Sequence, residues 1–94
     1  MVYNVSNMLS PRTGRAVANQ FIIEDGNKKI FKSYYSIIAT VCGGVVTLDR
    51  NYWDYSNTTT KYLGCFLGLS GSGCKELIRK RINQGIYKLS NLNS

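Results

Sequence analysis

The chain contains no histidine, and its five acidic side chains are Glu24, Asp25, Asp49, Asp54 and Glu76. Histidine is the side chain best matched to proton transfer near neutral pH, so general acid–base chemistry has few candidates. Glu24 and Asp25 are adjacent, and on a strand such neighbours point to opposite faces rather than pairing around one substrate. The stretch from Gly68 through Ser70, Gly71, Ser72 and Gly73 to Lys75 is glycine-rich and opens a helix, a setting in which backbone amides can hold a phosphate. A phosphate-binding loop, however, needs Gly-Lys followed directly by Ser or Thr for magnesium. Here Cys74 separates Gly73 from Lys75 and Glu76 takes the hydroxyl position, so the segment reads as a connector.

Three cysteines, Cys42, Cys65 and Cys74, are an odd number at irregular spacing, unlike the dense, even framework of a secreted mini-protein. Cys74, next to Lys75 at a helix start, is the best placed for thiolate formation, and packing on an apolar helix face explains it equally well. A zinc site would need a fourth ligand, and there is no Cys-x-x-Cys pair. The expectation is therefore a protein with no catalytic residues, no metal and no cofactor, which acts by binding.

What it binds is constrained by charge. Twelve Lys and Arg against five Asp and Glu give a net charge of +7, a positive field attractive to phosphates or to acidic protein surfaces. The longest run of contiguous cations is Arg79, Lys80 and Arg81. Seven tyrosines, three phenylalanines and one tryptophan, interleaved with Lys32, Arg50 and Lys61, have the composition of a surface that stacks bases while cations engage phosphates. In a domain of this size such aromatics more often fill the core or its edge.

The elements that must position these residues follow from the pattern. Residues 1–16 hold the turn formers Ser10, Pro11, Thr13 and Gly14 and read as an irregular N-terminal arm, with residues 17–94 as the globular part of a single domain. A chain of this length buries only about 60 to 65 % of its unfolded surface, enough for one core. Gln20–Glu24 and Lys29–Tyr34 flank Asp25-Gly26-Asn27 as a β-hairpin. Tyr35–Val41 and Val45–Leu48 flank Gly43-Gly44 as a second, although the apolar run from Ser36 to Val41 is also compatible with a short helix. Possible caps at residues 56–60 predict a helix from about Thr59 to Leu67, weakened by Gly64 and Gly68.

The clearest element is an amphipathic, basic helix from near Ser72 to Gln84, with Cys74, Leu77, Ile78 and Ile82 on one face. Gly85 stands at its end, and residues 86–89 alternate as a terminal strand. The fold expected is α+β: a small antiparallel sheet of four to five strands with one or two helices, the C-terminal amphipathic helix being followed by a short strand. No apolar run approaches the roughly 20 residues that cross a bilayer. The first twenty residues lack the apolar core of a secretory signal, so the cytoplasm is the expected compartment.

Ala18–Ile23, Phe31–Tyr34, the run Trp53-Asp54-Tyr55-Ser56 followed by Thr58-Thr59-Thr60-Lys61-Tyr62, Phe66–Gly68 and the closing Gly85–Asn93 together resemble a family of small uncharacterised bacteriophage proteins. The likeness covers most of residues 8–93 and departs from the family pattern at residues 68–73. It implies a virus-encoded protein acting inside an infected bacterium, and it carries no catalytic residues over. The expected role is an accessory protein that binds and inhibits or redirects a bacterial host protein or ribonucleoprotein complex, such as an anti-CRISPR or other anti-defence inhibitor. The alternative is direct DNA or RNA contact. The expected contact residues are Lys75, Arg79, Lys80 and Arg81 on the last helix, with Tyr52, Trp53, Tyr55 and Lys61 in the aromatic-polar segment, because aromatics and arginine dominate interface energies.

Overall fold

A computed structural model describes residues 4–10, 12–69 and 73–93. Their order is β1 (Asn4–Leu9), β2 (Ala16–Asp25), β3 (Lys28–Ser33), β4 (Ser36–Cys42), β5 (Val45–Asp49), α1 (Asn57–Phe66), α2 (Cys74–Asn83) and β6 (Tyr87–Ser90). The six strands form one sheet in chain order. The first five are antiparallel to their neighbours, and β6 is parallel to β5. The expected four-to-five-stranded antiparallel sheet is thus replaced by a six-stranded mixed one.

Two physical causes account for the difference. The turn formers read as a loose arm instead close a hairpin: Gly14 N–H donates to the Ser10 carbonyl and Ser10 N–H to the Arg15 carbonyl, both at 2.8 Å. This brings Asn4–Leu9 alongside β2, in the register Val5 to Ile23 and Asn7 to Phe21. At the other end, both helices lie between β5 and β6. A strand that returns through a helical crossover enters parallel to the one it left.

Both hairpins expected from the sequence are present. Gly43 and Gly44 sit at φ +57° and +80°, the pair of left-handed conformations a two-residue turn between β4 and β5 requires. The β3–β4 turn has a costlier solution. Tyr34 takes φ +56° where glycine is usual, a conformation about 1–2 kcal/mol uphill for an L-residue. Its N–H donates to the Asn19 carbonyl at 2.7 Å, which fixes it there. β4 is a strand throughout, and the register explains its apolar run: Phe31 pairs with Ala39 but Lys32 with Ile37, leaving Ile38 as a bulge. Consecutive residues Ile38 and Ala39 consequently both reach the core with no exposed surface.

That core lies on one face of the sheet, between it and the helices. Phe31, Leu48 and Tyr87 supply it from the strands, Tyr62, Leu63 and Ile78 from the helices, and Trp53 from the connecting loop. Phe31 stacks on Phe66 with ring centroids 5.7 Å apart. Ser33 Oγ and Thr59 Oγ1, both buried, share a hydrogen bond of 3.1 Å that ties β3 to α1. The start of α1 is capped by Ser56, whose Oγ accepts from Thr59 N–H at 3.1 Å. Gly64, which costs α1 helix propensity, allows α2 to approach: a Cβ there would stand 2.9 Å from Cys74 Sγ.

Asp49 joins the ends of this arrangement. It is fully buried at the end of β5, and Oδ2 accepts from Asn51 N–H and Tyr52 N–H, each at 3.0 Å. Oδ1 accepts from Leu92 N–H at 2.7 Å. One carboxylate therefore turns the chain out of the sheet into the crossover and holds the segment after β6 beside it. Beyond that, Asn93 brackets Ile37, its Oδ1 accepting from the Ile37 N–H at 2.7 Å and its Nδ2 donating to the Ile37 carbonyl at 2.8 Å. Replacing Asp49 with Ala leaves three amides without their acceptor, and the expected loss is on the order of 3 kcal/mol in urea unfolding. Replacing the exposed Glu24 with Ala changes stability by less than about 0.5 kcal/mol.

Candidate functional site

The helix layer contains all the residues expected to form the contact surface. Trp53 is buried, 6 % exposed, and its carbonyl lies 3.5 Å from the Thr60 hydroxyl. Tyr52 is half-buried against the core and meets the exposed Tyr55 edge to face at 5.5 Å. From α2, Arg79 places its guanidinium 5.7 Å from the Trp53 ring and 3.8 Å from Asp54 Oδ2. The structure thus brings the segment Tyr52–Tyr55 and the basic helix together, and it does so through contacts within the chain.

The remaining cations are dispersed. Arg81 is half-buried and donates to the Tyr87 hydroxyl at 2.9 Å while lying over that ring. Lys61 is exposed on α1, with Nζ 5.5 Å from the Tyr62 ring. Lys80 is exposed and Lys75 half-buried on α2. Of the eight expected contact residues, Trp53 is thus enclosed in the core, whereas Arg79 and Arg81 each pack an aromatic ring of their own chain. Of the cysteines, Cys42 is exposed while Cys65 and Cys74 are half-buried, and all three are free thiols. The comparison with a phosphate-binding loop falls partly on residues 70–72, outside the described residues.

A second surface is defined by the register. The strand residues facing the helices include Ile22, Phe31, Ser33, Leu48 and Tyr87. Their neighbours in sequence point to the other face. One row there runs Val5, Ile23, Ile30, Thr40, Thr47, Lys88 across all six strands, and a second runs Asn7, Phe21, Lys32, Ile37 across four. A third contains Asp25, Lys28, Cys42 and Val45. Phe21, Ile23, Ile30 and Ile37 are half-buried, with Val5 and Val45 61 % and 45 % exposed. No described element packs over these side chains.

This face combines a contiguous apolar centre with Lys28, Lys32 and Lys88. Large exposed apolar patches on small proteins mark binding surfaces. Three of the four residues of the centre are isoleucines and only Phe21 is a ring, which suits packing against apolar side chains better than serial base stacking. Around one end, the β3–β4 turn holds out Tyr34 at 47 % and Tyr35 at 95 % exposure. Sequence reasoning missed this face. Its one signal was that Phe21, Ile22 and Ile23 are apolar in succession, so that a single-layered strand buries one set and leaves the other outside.

Among the described residues, no group of His, Cys, Asp and Glu is arranged to hold a metal ion, and no helix is long and apolar enough to cross a membrane. Fold and surface together define a single-layered α+β sheet protein with one helix-covered and one open face. The chain belongs to a family of unknown function, DUF8033, whose model matches residues 3–85. No curated protein matches it, and neither does any solved structure.

The clasp at Arg79 carries its own expectation. A half-exposed cation–π contact contributes about 0.5–1 kcal/mol, and the ion pair with Asp54, at side-chain exposures of 52 % and 35 %, adds little after solvent screening. Arg79→Ala therefore lowers unfolding stability by about 1 kcal/mol, and Lys80→Ala by less than about 0.5 kcal/mol. Equal midpoints for the two variants in thermal or urea unfolding would show that the clasp does not form.

Proposed function

We propose that this chain is a binding protein that inhibits or redirects a larger bacterial machine by covering part of its surface with the open face of the sheet. The supporting observation is the uncovered apolar centre of Phe21, Ile23, Ile30 and Ile37 within a field of lysines. Such a face suits a protein partner that presents apolar side chains bordered by carboxylates. Burying the apolar area supplies the affinity, and the opposite charges guide approach and orientation. The resemblance to small bacteriophage proteins supports a target inside the infected cell, such as a CRISPR or other defence complex, and action in the bacterial cytoplasm. Chemistry plays no part in this reading: the protein works by occupancy.

A direct nucleic-acid contact is the second reading, favoured by Lys28, Lys32 and Lys88 lying on one face with Phe21 and by the exposed Tyr34 and Tyr35 at its margin. The two readings differ in salt dependence, since neutralising several phosphates makes affinity fall steeply with ionic strength.

Affinity capture from bacterial lysate, followed by titration of the purified partner, separates them. The expected result is a protein partner bound by the wild type, lost with Ile30→Glu and retained with Lys80→Glu on the helix layer. Binding that survives Ile30→Glu but is lost with Lys80→Glu would overturn the assignment to the sheet. Tight, steeply salt-dependent binding of labelled DNA or RNA in fluorescence anisotropy, with no protein captured, would favour the second reading.

A further inference from the structure

The two edges of the sheet are unlike. β6 has only four residues, carries Lys88, and is followed by a segment that Asp49 and Ile37 hold in place. Such features shield an edge from pairing with another chain. β1 has none of these three, and its one irregularity is a register shift against β2 between Asn7 and Leu9. Its six residues, Asn-Val-Ser-Asn-Met-Leu, include no charge and no proline. One side of the strand pairs with β2, and the opposite side meets no other described strand. Two of its apolar side chains, Val5 and Leu9, are each 61 % exposed.

We propose that two copies of this chain pair antiparallel through β1, about a two-fold axis at Asn7, and so join two six-stranded sheets into one. The strand is self-complementary about that residue. Val5 and Leu9 stand two positions on either side of Asn7, and by alternation they share its face of the sheet. The axis sets Val5 of one copy opposite Leu9 of the other, and Leu9 opposite Val5, giving two apolar cross-strand pairs where each copy alone exposes both side chains. An interface built on a two-fold axis must be self-complementary in this way.

The charges beside the strand are compatible with the same orientation. Glu24 pairs with Asn4 at one end of β1, and Asp25 follows it. At the other end, Arg12 and Arg15 lie in the turn that leads from β1 into β2, both exposed. Antiparallel pairing brings Glu24 of each copy, which stands opposite Lys29 of β3, towards Arg12 and Arg15 of the other. Parallel pairing would set like charges side by side. Because the axis is perpendicular to the sheet, the open faces of both copies fall on one side and become continuous, which leaves them available to a partner. The pairing does not depend on that partner.

Sedimentation of the full chain from low micromolar to near-millimolar concentration tests the proposal. The wild type is expected to shift from the mass of one chain to that of two, and Val5→Lys and Leu9→Glu each to stay at one. The double variant Val5→Lys with Leu9→Glu is expected to regain the two-chain mass, since the axis then sets Lys opposite Glu twice. Both positions are exposed, so unchanged circular dichroism and unfolding midpoints confirm that folding is intact. A wild type of single-chain mass at every concentration overturns the proposal, as does a dimer indifferent to either single change. A double variant that remains a single chain overturns the axis at Asn7 and the proposal with it.

Discussion

Two short helices cannot cover a six-stranded sheet twice. Six strands at about 4.8 Å spacing make a sheet roughly 24 Å across, whereas two helices of 10 residues are each about 15 Å long and 10 Å wide. Side by side they cover one face and leave nothing for the other. Everything distinctive in this protein follows from that disproportion. The core collects on the helix side, where Phe31, Leu48, Leu63 and Ile78 are fully buried. On the far side Phe21, Ile23, Ile30 and Ile37 remain half-buried with no described element packed over them.

The covered side is held by connections rather than by sheer area. Asp49 ends β5, starts the crossover and receives the segment after β6. Loss of this one carboxylate would therefore loosen three pieces of chain at once. The Ser33–Thr59 hydrogen bond and the Phe31–Phe66 stack fix α1 over β3, while Arg79 ties α2 to the loop that carries Trp53. Arg79 and Arg81, with Trp53 and Tyr87, are consequently engaged in holding α2 to the loop and to β6. That is the physical reason to look to the opposite face for binding.

Much of this fold was legible in the residues. Gly43-Gly44 between two β-branched runs makes a hairpin the simplest reading, with a short helix over Ser36–Val41 as the alternative that the structure removes. The spacing of Cys74, Ile78 and Ile82 marks the inner face of α2, whereas Leu77, expected on that face, is exposed. What could not be read was pairing at a distance. Asn4–Leu9 has no alternation of its own and becomes a strand only because the turn at residues 10–15 lays it against β2. The parallel return of β6 depends on both helices crossing one face, which no local pattern encodes. Ile38 and Ala39 look like ordinary strand neighbours until the bulge turns both inward. Three of the expected contact residues acquire partners within the chain. Arg79, Arg81 and Trp53 have the composition of an interface, yet ring and guanidinium satisfy one another within the chain. Composition alone does not distinguish a surface that binds from one already bound.

The most direct test of the open face is the solvent accessibility of individual isoleucine methyl groups, read by NMR from the relaxation that a soluble gadolinium chelate induces. Ile23, Ile30 and Ile37 on one side, and Ile38 and Ile78 on the other, provide the contrast within a single sample. The account predicts strong enhancement at Ile23, Ile30 and Ile37 and almost none at Ile38 and Ile78. If Ile30 were as protected as Ile38, a second layer would have to cover the sheet, and the reading of this face as a binding surface would be contradicted.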